Sequence, residues 1–178
     1  MACCPVWYEL MTPDAAKVAP FYRAVTGWTI PPEGNTMPNG AEYRMIHRAH
    51  GGHEGGVLSL TPAMIEGGVQ PGWIAYFHVP DVDAALPQAE AMGATGWMGA
   101  QSVPGAGRMA MLADPQGAPF YIMTPAPPPD KLVLTSDVFD AQKPGHCRWM
   151  QLDTTDAPAA NAFYTEMFDW KTDQTMPM

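Results

Sequence analysis

The sequence lacks the long apolar run that a membrane span requires. A helix that crosses a bilayer needs roughly 18 to 20 consecutive apolar residues, and the 178-residue chain contains no stretch of that kind. The first ten residues, MACCPVWYEL, carry neither a basic segment nor an apolar core of the signal-peptide type. We therefore expect a cytoplasmic protein that makes no membrane contact.

Basic residues are also scarce. Nine Lys and Arg stand against 18 Asp and Glu, which gives a formal net charge of −9. An acidic surface repels phosphate backbones, so we expect no nucleic-acid partner and leave cationic or neutral small molecules open. Charged residues make up 15% of the chain and hydrophobic residues 47%, which is typical of a globular protein with a substantial core.

Cysteine is too rare for a disulfide framework. The chain has Cys3, Cys4 and Cys147, an odd number with two members adjacent. This count is typical of a reduced cytosolic protein. The adjacent pair could bind a metal or pair with another chain, but two small residues near a terminus are the simpler interpretation.

An internal repeat organises what is present. The stretch WYELMTPDAAKVAPFY, starting at Trp7, matches WMQLDTTDAPAANAFY, starting at Trp149, without a gap. In each copy an aromatic-rich strand leads into an Asp near the positive end of a helix. We predict the first strand over Val6–Met11 and the first helix to about Val25, ending near Gly27 and kinked or shortened by Pro20.

A weaker repeat divides residues 5–124 into two halves. Pro80-Asp81 follows the strand that contains IAYFHV, as Pro13-Asp14 follows the first strand. Residues 5–60 and 73–124 are therefore predicted to be two related strand–helix–strand–strand–strand halves. The second helix is predicted over Val82–Met92, and the later strands over Glu42–Arg48, Val57–Leu60, Arg108–Leu112 and Pro119–Thr124, the last two joined by the turn Asp114–Gly117.

Three regions follow from this pattern. Residues 1–126 form a complete module, and residues 127–145 form a proline-rich linker with a short strand at Leu132–Leu134. Residues 146–178 form the first strand, helix and next strand of a second module that is cut off. Thr175-Met176-Pro177 echoes Thr36-Met37-Pro38 of the first copy.

These motifs resemble the vicinal oxygen chelate superfamily of glyoxalase I, bleomycin-resistance proteins and extradiol dioxygenases. The resemblance rests on TPDAA…FY…GW, on YFHVPDVDAA and on MLADPQGAPFY, and it covers residues 5–124 and from about 147 onward. It implies an α+β fold in which paired βαβββ units form a curled mixed sheet around a cavity, with a partial third unit. The tandem two-module proteins of the superfamily look most similar.

The same resemblance implies where a metal would bind. Metal-dependent members supply His or Gln, His and Glu from the first strand of each half and from the last strand. Those positions fall on Trp7, Ile74 and Tyr121, none of which is a ligand for a divalent cation at neutral pH. We therefore predict no metal site of the family type and no cofactor; a divalent metal enters only under the enzyme alternative.

Two polar side chains share strand faces with these positions. Glu9 alternates with Trp7, and His78 alternates with Ile74 and Tyr76. Glu9 and His78 are the candidate acid–base or ligand-orienting residues, although each could instead be a hydrogen-bonded residue at the rim without chemistry. Trp7, Ile74, Tyr76, Tyr121 and Met123 complete the predicted lining, which suits a flat or apolar ligand and equally suits plain core packing.

The histidine-rich stretch HRAHGGHE, residues 47–54, contains residue types that bind transition metals. The predicted fold places it in a glycine-rich turn between two strands, where His47 and His53 lie at opposite ends. We therefore interpret it as a turn and not as a specific metal site.

Three functions remain open from the sequence. The first is metal-free binding of an apolar, aromatic or cationic small molecule, as in bleomycin-resistance proteins. The second is a glyoxalase-like lyase or isomerase, or a dioxygenase, that uses a divalent metal. The third is an assembly unit or remnant of a tandem protein, and for it we expect a homodimer, with residues 146–178 as a possible contact or exchanged segment.

Overall fold

A computed structural model describes residues 5–126 and 136–174. The adjacent cysteines Cys3 and Cys4, the predicted strand Leu132–Leu134 and the Thr175–Pro177 echo lie outside the described residues. The described chain divides into two compact units. The N-terminal unit comprises residues 6–75 and 136–150, and the C-terminal unit comprises residues 76–126 and 151–174 together with Pro5.

The N-terminal unit carries the first half of the predicted module. Its strands run in the order β2-β3-β4-β1, with β1 parallel to β4 and the other pairs antiparallel. The elements in chain order are β1 (Pro5–Thr12), α1 (Ala15–Thr26), β2 (Asn35–Thr36), β3 (Glu42–His47), β4 (His53–Ser59) and α2 (Pro62–Glu66).

The second half has the same plan. Its strands run in the order β6-β7-β8-β5, with β5 parallel to β8 and the other pairs antiparallel. The elements are β5 (Gly72–His78), α3 (Val82–Ala91), β6 (Thr95–Val103), β7 (Gly107–Ala113) and β8 (Pro119–Pro125). This confirms the predicted α+β class, the mixed strand directions and the paired βαβββ halves.

The same local signal starts three of the helices. Asp14, Asp81 and Asp156 each lie in an extended or non-helical conformation directly before a helix and accept hydrogen bonds from backbone N–H groups of its first turn. α1 ends as predicted, with Gly27 in the left-handed conformation at φ 76°. The helix is not shortened at Pro20, however, and continues to Thr26.

The core of the N-terminal unit forms where α1 packs on the strands. Leu10, Ile46 and Val57 come from three neighbouring strands and are buried together with Ala15, Trp28 and Ile30. These side chains alternate with the residues of the opposite strand face. The packing on this side therefore fixes the direction of Trp7 and Glu9.

The second copy of the repeat forms a helix but not its first strand. α4 (Ala157–Phe168) occupies the predicted place, whereas residues 148–156 belong to no strand and Trp149 is 78% exposed. A strand needs a neighbour for its N–H and C=O groups. In the first copy that neighbour is β4, which follows β1 by some 40 residues. Residues 148–156 pair with no strand in the described part of the chain, and the predicted strand does not form there.

Part of the predicted linker packs on the N-terminal unit. The Asp137 carboxylate accepts from Arg48, and the Trp28 indole donates to the Gly145 carbonyl oxygen over 2.7 Å. Val138 is buried. Residues 136–145 are therefore a structured part of this unit and not a spacer. In the described chain, no helix has the length and apolar character needed to cross a membrane.

Candidate functional site

In the N-terminal unit the predicted site residue Trp7 pairs with a tyrosine that lies over a glycine. The Trp7 indole N–H donates to the Tyr43 hydroxyl over 2.8 Å. A methyl group added at Gly56 would lie 2.1 Å from that hydroxyl oxygen, so the Tyr43 ring rests directly on the Gly56 backbone. The absence of a side chain at Gly56 is what allows this close approach.

Glu9 lies beside this pair. It is the register partner of Gly56 across β1 and β4, and its side chain alternates with Trp7 on one face of β1. Only 3% of Glu9 is exposed. A carboxylate this deeply buried needs polar partners, and it can orient a ligand or exchange a proton with one. The geometry therefore places Trp7, Glu9 and Tyr43 around one point of the strand face.

In the C-terminal unit two tyrosines stack face to face. Tyr76 and Tyr121 are register partners on β5 and β8, and their ring centroids lie 4.1 Å apart at an interplanar angle of 6°. The next pair in the register on the same face is His78 with Met123. Tyr76, Tyr121 and Met123 are buried, whereas His78 is exposed.

The seven predicted residues thus fall into two groups. The N-terminal unit holds Trp7, Glu9 and the buried Ile74, and the C-terminal unit holds the other four. Two clefts lie elsewhere in the C-terminal unit, and neither is lined by any of the seven. One, of about 420 Å³, is lined by residues 116–118 and 153–155. The other, of about 210 Å³, lies between α3 and Met167 of α4.

The positions that the superfamily resemblance assigns to metal ligands do not fit a metal. The Trp7 indole nitrogen is only a donor and is already bonded to Tyr43. Ile74 has no lone pair, and the Tyr121 ring stacks on Tyr76. Residues 5–126 and 136–174 also contain no group of three or more His, Cys, Asp or Glu side chains arranged to hold a metal ion.

The histidine-rich turn is better ordered than its glycines predict. His47 and His53 are register partners across β3 and β4, with ring centroids 4.8 Å apart. Gly51 and Gly52 close the turn through backbone hydrogen bonds with Arg48. Burial lowers the pKa of His53, with the neighbouring His47 and Arg48 acting in the same direction. The two histidines lie at opposite ends of the turn, as predicted, and the strand register fixes them side by side.

Two features of the N-terminal unit were not predicted from the sequence. Tyr43 was missed, although its alternation with Met45 and His47 on β3 was a usable signal. The buried Arg48–Glu54 ion pair was hidden in a stretch that resembles a polar turn. Burial raises the pKa of the Glu54 carboxyl, opposed by hydrogen bonds from Arg48 and from the Cys147 N–H. The Arg48 guanidinium lowers the pKa of Asp137.

Comparison with protein families gives a match over most of the first module. A family model described as "Glyoxalase-like domain" matches residues 7–123. The match spans both βαβββ halves and includes all seven predicted site residues.

Curated relatives come from actinobacteria. The "Anthracycline biosynthesis protein DauV" of Streptomyces sp. strain C5 is 28% identical over 177 residues, covering 90% of this chain and 58% of that protein. The "Putative glyoxylase CFP32" of Mycobacterium tuberculosis is 36% identical over 122 residues, covering 68% of this chain and 44% of that protein. The chain spans about half the length of the curated relatives it matches.

Solved structures share the fold. A hypothetical protein from Bacillus halodurans C-125 matches with a TM-score of 0.56 at 11% identity, covering 74% of this chain and 100% of that chain. Methylmalonyl-CoA epimerase from Streptomyces coelicolor matches with a TM-score of 0.52 at 17% identity, covering 71% of this chain and 100% of that chain. At these identities the likeness concerns the fold alone.

Proposed function

The chain belongs to the glyoxalase-like domain family, within the vicinal oxygen chelate superfamily, and we propose that it binds a planar aromatic small molecule, neutral or cationic, without a metal ion. One observation carries the proposal. In each half, a position that the superfamily resemblance assigns to a metal ligand holds an aromatic ring engaged by a second aromatic ring.

The Trp7–Tyr43 pair supplies the recognition surface in this proposal. Trp7 is half-buried, and its hydrogen bond to Tyr43 fixes the plane of the indole. A fixed ring loses little freedom when a flat ligand stacks on it, so the contact area is converted efficiently into affinity. Tyrosine and tryptophan rings also attract cations through their faces.

Charge favours the same class of ligand. The net charge of −9 and the buried Glu9 carboxyl both disfavour anions and favour neutral or cationic ligands. In this account Glu9 hydrogen-bonds or ion-pairs with the ligand next to the aromatic pair. His78 lies in the C-terminal unit and remains a candidate ligand-orienting residue of that unit.

The relatives point in the same direction. Two Streptomyces proteins that match over 90% of this chain carry the name of anthracycline biosynthesis proteins, and anthracyclines contain a planar fused-ring system. Because the chain spans only 58% of their length, the activity of the whole relatives does not transfer directly. What transfers in this proposal is the class of ligand.

Calorimetric titration with three probes tests the proposal. Doxorubicin is a cationic fused-ring probe, anthraquinone-2-sulfonate is an anionic fused-ring probe, and choline is a cation without an aromatic ring. We expect doxorubicin to bind most tightly, the sulfonate to bind more weakly with an affinity that rises with salt, and choline to bind least. Equal affinities for choline and doxorubicin would mean that the chain recognises only the positive charge of the probe, and this would overturn the proposal.

A pair of tryptophan variants locates the site. Trp7→Leu is expected to weaken doxorubicin binding about 3- to 10-fold, the range for one lost aromatic contact. Trp97→Leu is the matched control, because Trp97 is 55% exposed on β6 in the other unit. Equal effects of the two substitutions, or no effect of either, would place the binding elsewhere and contradict the assignment to Trp7.

A further inference from the structure

The two copies of the repeated helix differ in which residues they bury. Phe21 and Val25 of α1 are 59% and 65% exposed. Their equivalents in α4, 142 positions later, are Phe163, which is 4% exposed, and Met167, which is partly buried. We call Phe21 and Val25 the α1 face. An exposed phenylalanine and valine one helical turn apart form an apolar strip on the surface.

α1 does not need this face for its own fold. The helix packs on the core of the N-terminal unit through Val18, Ala19 and Tyr22. These three lie on the side of the helix next to the α1 face, given 100° of rotation per residue. The α1 face is therefore available after the N-terminal unit has folded.

α4 shows what covers the equivalent face. Phe163 and Phe168 pack against the Phe120 ring, with centroids 6.1 Å away in each case, and Phe168 lies 5.1 Å from Phe77. Met167 and Val79 line the same cleft, together with the first turns of α3. The Tyr164 hydroxyl donates to the buried Asp114 carboxylate over 3.1 Å. We call Phe77, Val79 and Phe120 the half-module surface.

We propose that the α1 face docks on the half-module surface of a second copy of this chain, in the place that α4 occupies within one copy. The two helices are equivalent within the repeat. α4 already binds a βαβββ half through Phe163, and α1 leaves the equivalent Phe21 exposed. When α1 of each copy docks on the other copy, the two contacts are identical and the assembly closes as a twofold dimer.

α4 acts as a competitor in this arrangement. It belongs to the same chain as the surface it covers, so its effective concentration is high and α1 of another copy must displace it. Two chains of charge −9 also repel each other. The dimer is therefore weak in the wild type, and it strengthens when salt is raised or when the contact of α4 is weakened.

The wild type and three variants of the full chain test the proposal by sedimentation velocity over a wide range of protein concentration. Phe163→Glu weakens α4 and is expected to tighten the dimer at least tenfold. Adding Phe21→Glu to Phe163→Glu is expected to restore the monomer. Adding Ala16→Glu to Phe163→Glu is the matched control, because Ala16 is an exposed residue on the far side of α1 and should leave the dimer intact.

The outcomes separate cleanly. Dimers of the Phe163→Glu chain that Phe21→Glu abolishes and Ala16→Glu preserves would support the proposal. A monomeric Phe163→Glu chain, or self-association that Phe21→Glu leaves unchanged, would overturn it. If circular dichroism shows that Phe163→Glu does not fold, the proposal is tested instead by sedimentation velocity of the wild type at high protein concentration and high salt. Self-association there must be lost in Phe21→Glu and kept in Ala16→Glu, and a wild type that stays monomeric overturns the proposal.

Discussion

The Arg48 guanidinium lies 3.0 Å from the Glu54 carboxylate, and the two side chains are 4% and 0% exposed. The same guanidinium binds the Asp137 carboxylate over 2.6 Å, and the other Glu54 oxygen accepts from the Cys147 N–H over 2.6 Å. The ion pair thereby joins the β3–β4 hairpin to residues 136–150, which lie about 90 positions away in the chain.

Loss of Arg48 should destabilise the N-terminal unit strongly. Arg48→Met leaves the buried Glu54 carboxylate without its counter-charge, and the free energy of unfolding is expected to fall by about 3 kcal/mol. Urea denaturation followed by tryptophan fluorescence measures the change. Arg108→Met is the control, because the Arg108–Asp83 pair is solvent-exposed and worth little. A loss at Arg48 no larger than the loss at Arg108 would contradict this account of the network.

A methyl group at Gly56 should disturb the candidate site. The added Cβ would overlap the Tyr43 ring, so Gly56→Ala forces the ring away and breaks its hydrogen bond with Trp7. We expect doxorubicin binding to weaken by about 3- to 10-fold, no more than in Trp7→Leu, through the loss of a fixed Trp7 ring. Gly72→Ala is the matched control, since its Cβ would meet no atom within 4 Å. Unchanged doxorubicin binding in Gly56→Ala would show that the Trp7–Tyr43 pair is not part of the binding site.

Alkaline pH should loosen α4. Burial raises the pKa of the Tyr164 hydroxyl well above its ordinary value of about 10, and the neighbouring Asp114 carboxylate acts in the same direction. A raised folded-state pKa means that the stabilisation is complete below the unfolded pKa and is lost as pH rises through the folded value. The difference in urea midpoint between wild type and Tyr164→Phe should therefore be constant up to about pH 9 and shrink above it. A difference that stays constant to pH 11 would contradict this.

The fold was largely predictable because its signals are local and repeated. Asp14 and Asp81 mark helix starts, Gly27 marks a helix end, and the Asp114–Gly117 turn joins two strands, as predicted. The predicted plan of the second half includes a strand between α3 and β7, but the bounds of β6 (Thr95–Val103) were not predicted. This strand is largely exposed and carries two register shifts, so it has little hydrophobic alternation. Residues 148–156, before α4, show the reverse. The local pattern predicts a strand there, but none forms, because a strand needs a neighbour for its backbone hydrogen bonds.

The site was predictable only in part. Alternation along β1 predicts that Glu9 shares a strand face with Trp7, and the structure places both residues on β1. Sequence could not show that Tyr43 folds over Gly56, since that contact depends on the register of β3 against β4. The pairing of Arg48 with Asp137 could not be predicted from the sequence either, because it joins segments that lie far apart in the chain. Contacts fixed by register and by long-range packing leave no periodic trace in the sequence.

Metal dependence of ligand binding tests the central claim most directly. The chain is treated with EDTA, transferred to chelator-free buffer and titrated with doxorubicin by calorimetry. The titration is repeated on chain that was incubated with zinc, nickel or manganese ions and then freed of unbound ion by gel filtration. Because Trp7, Ile74 and Tyr121 are not metal ligands at neutral pH, the account predicts the same dissociation constant in every sample. Binding that disappears on chelation and returns with one of these ions would contradict it.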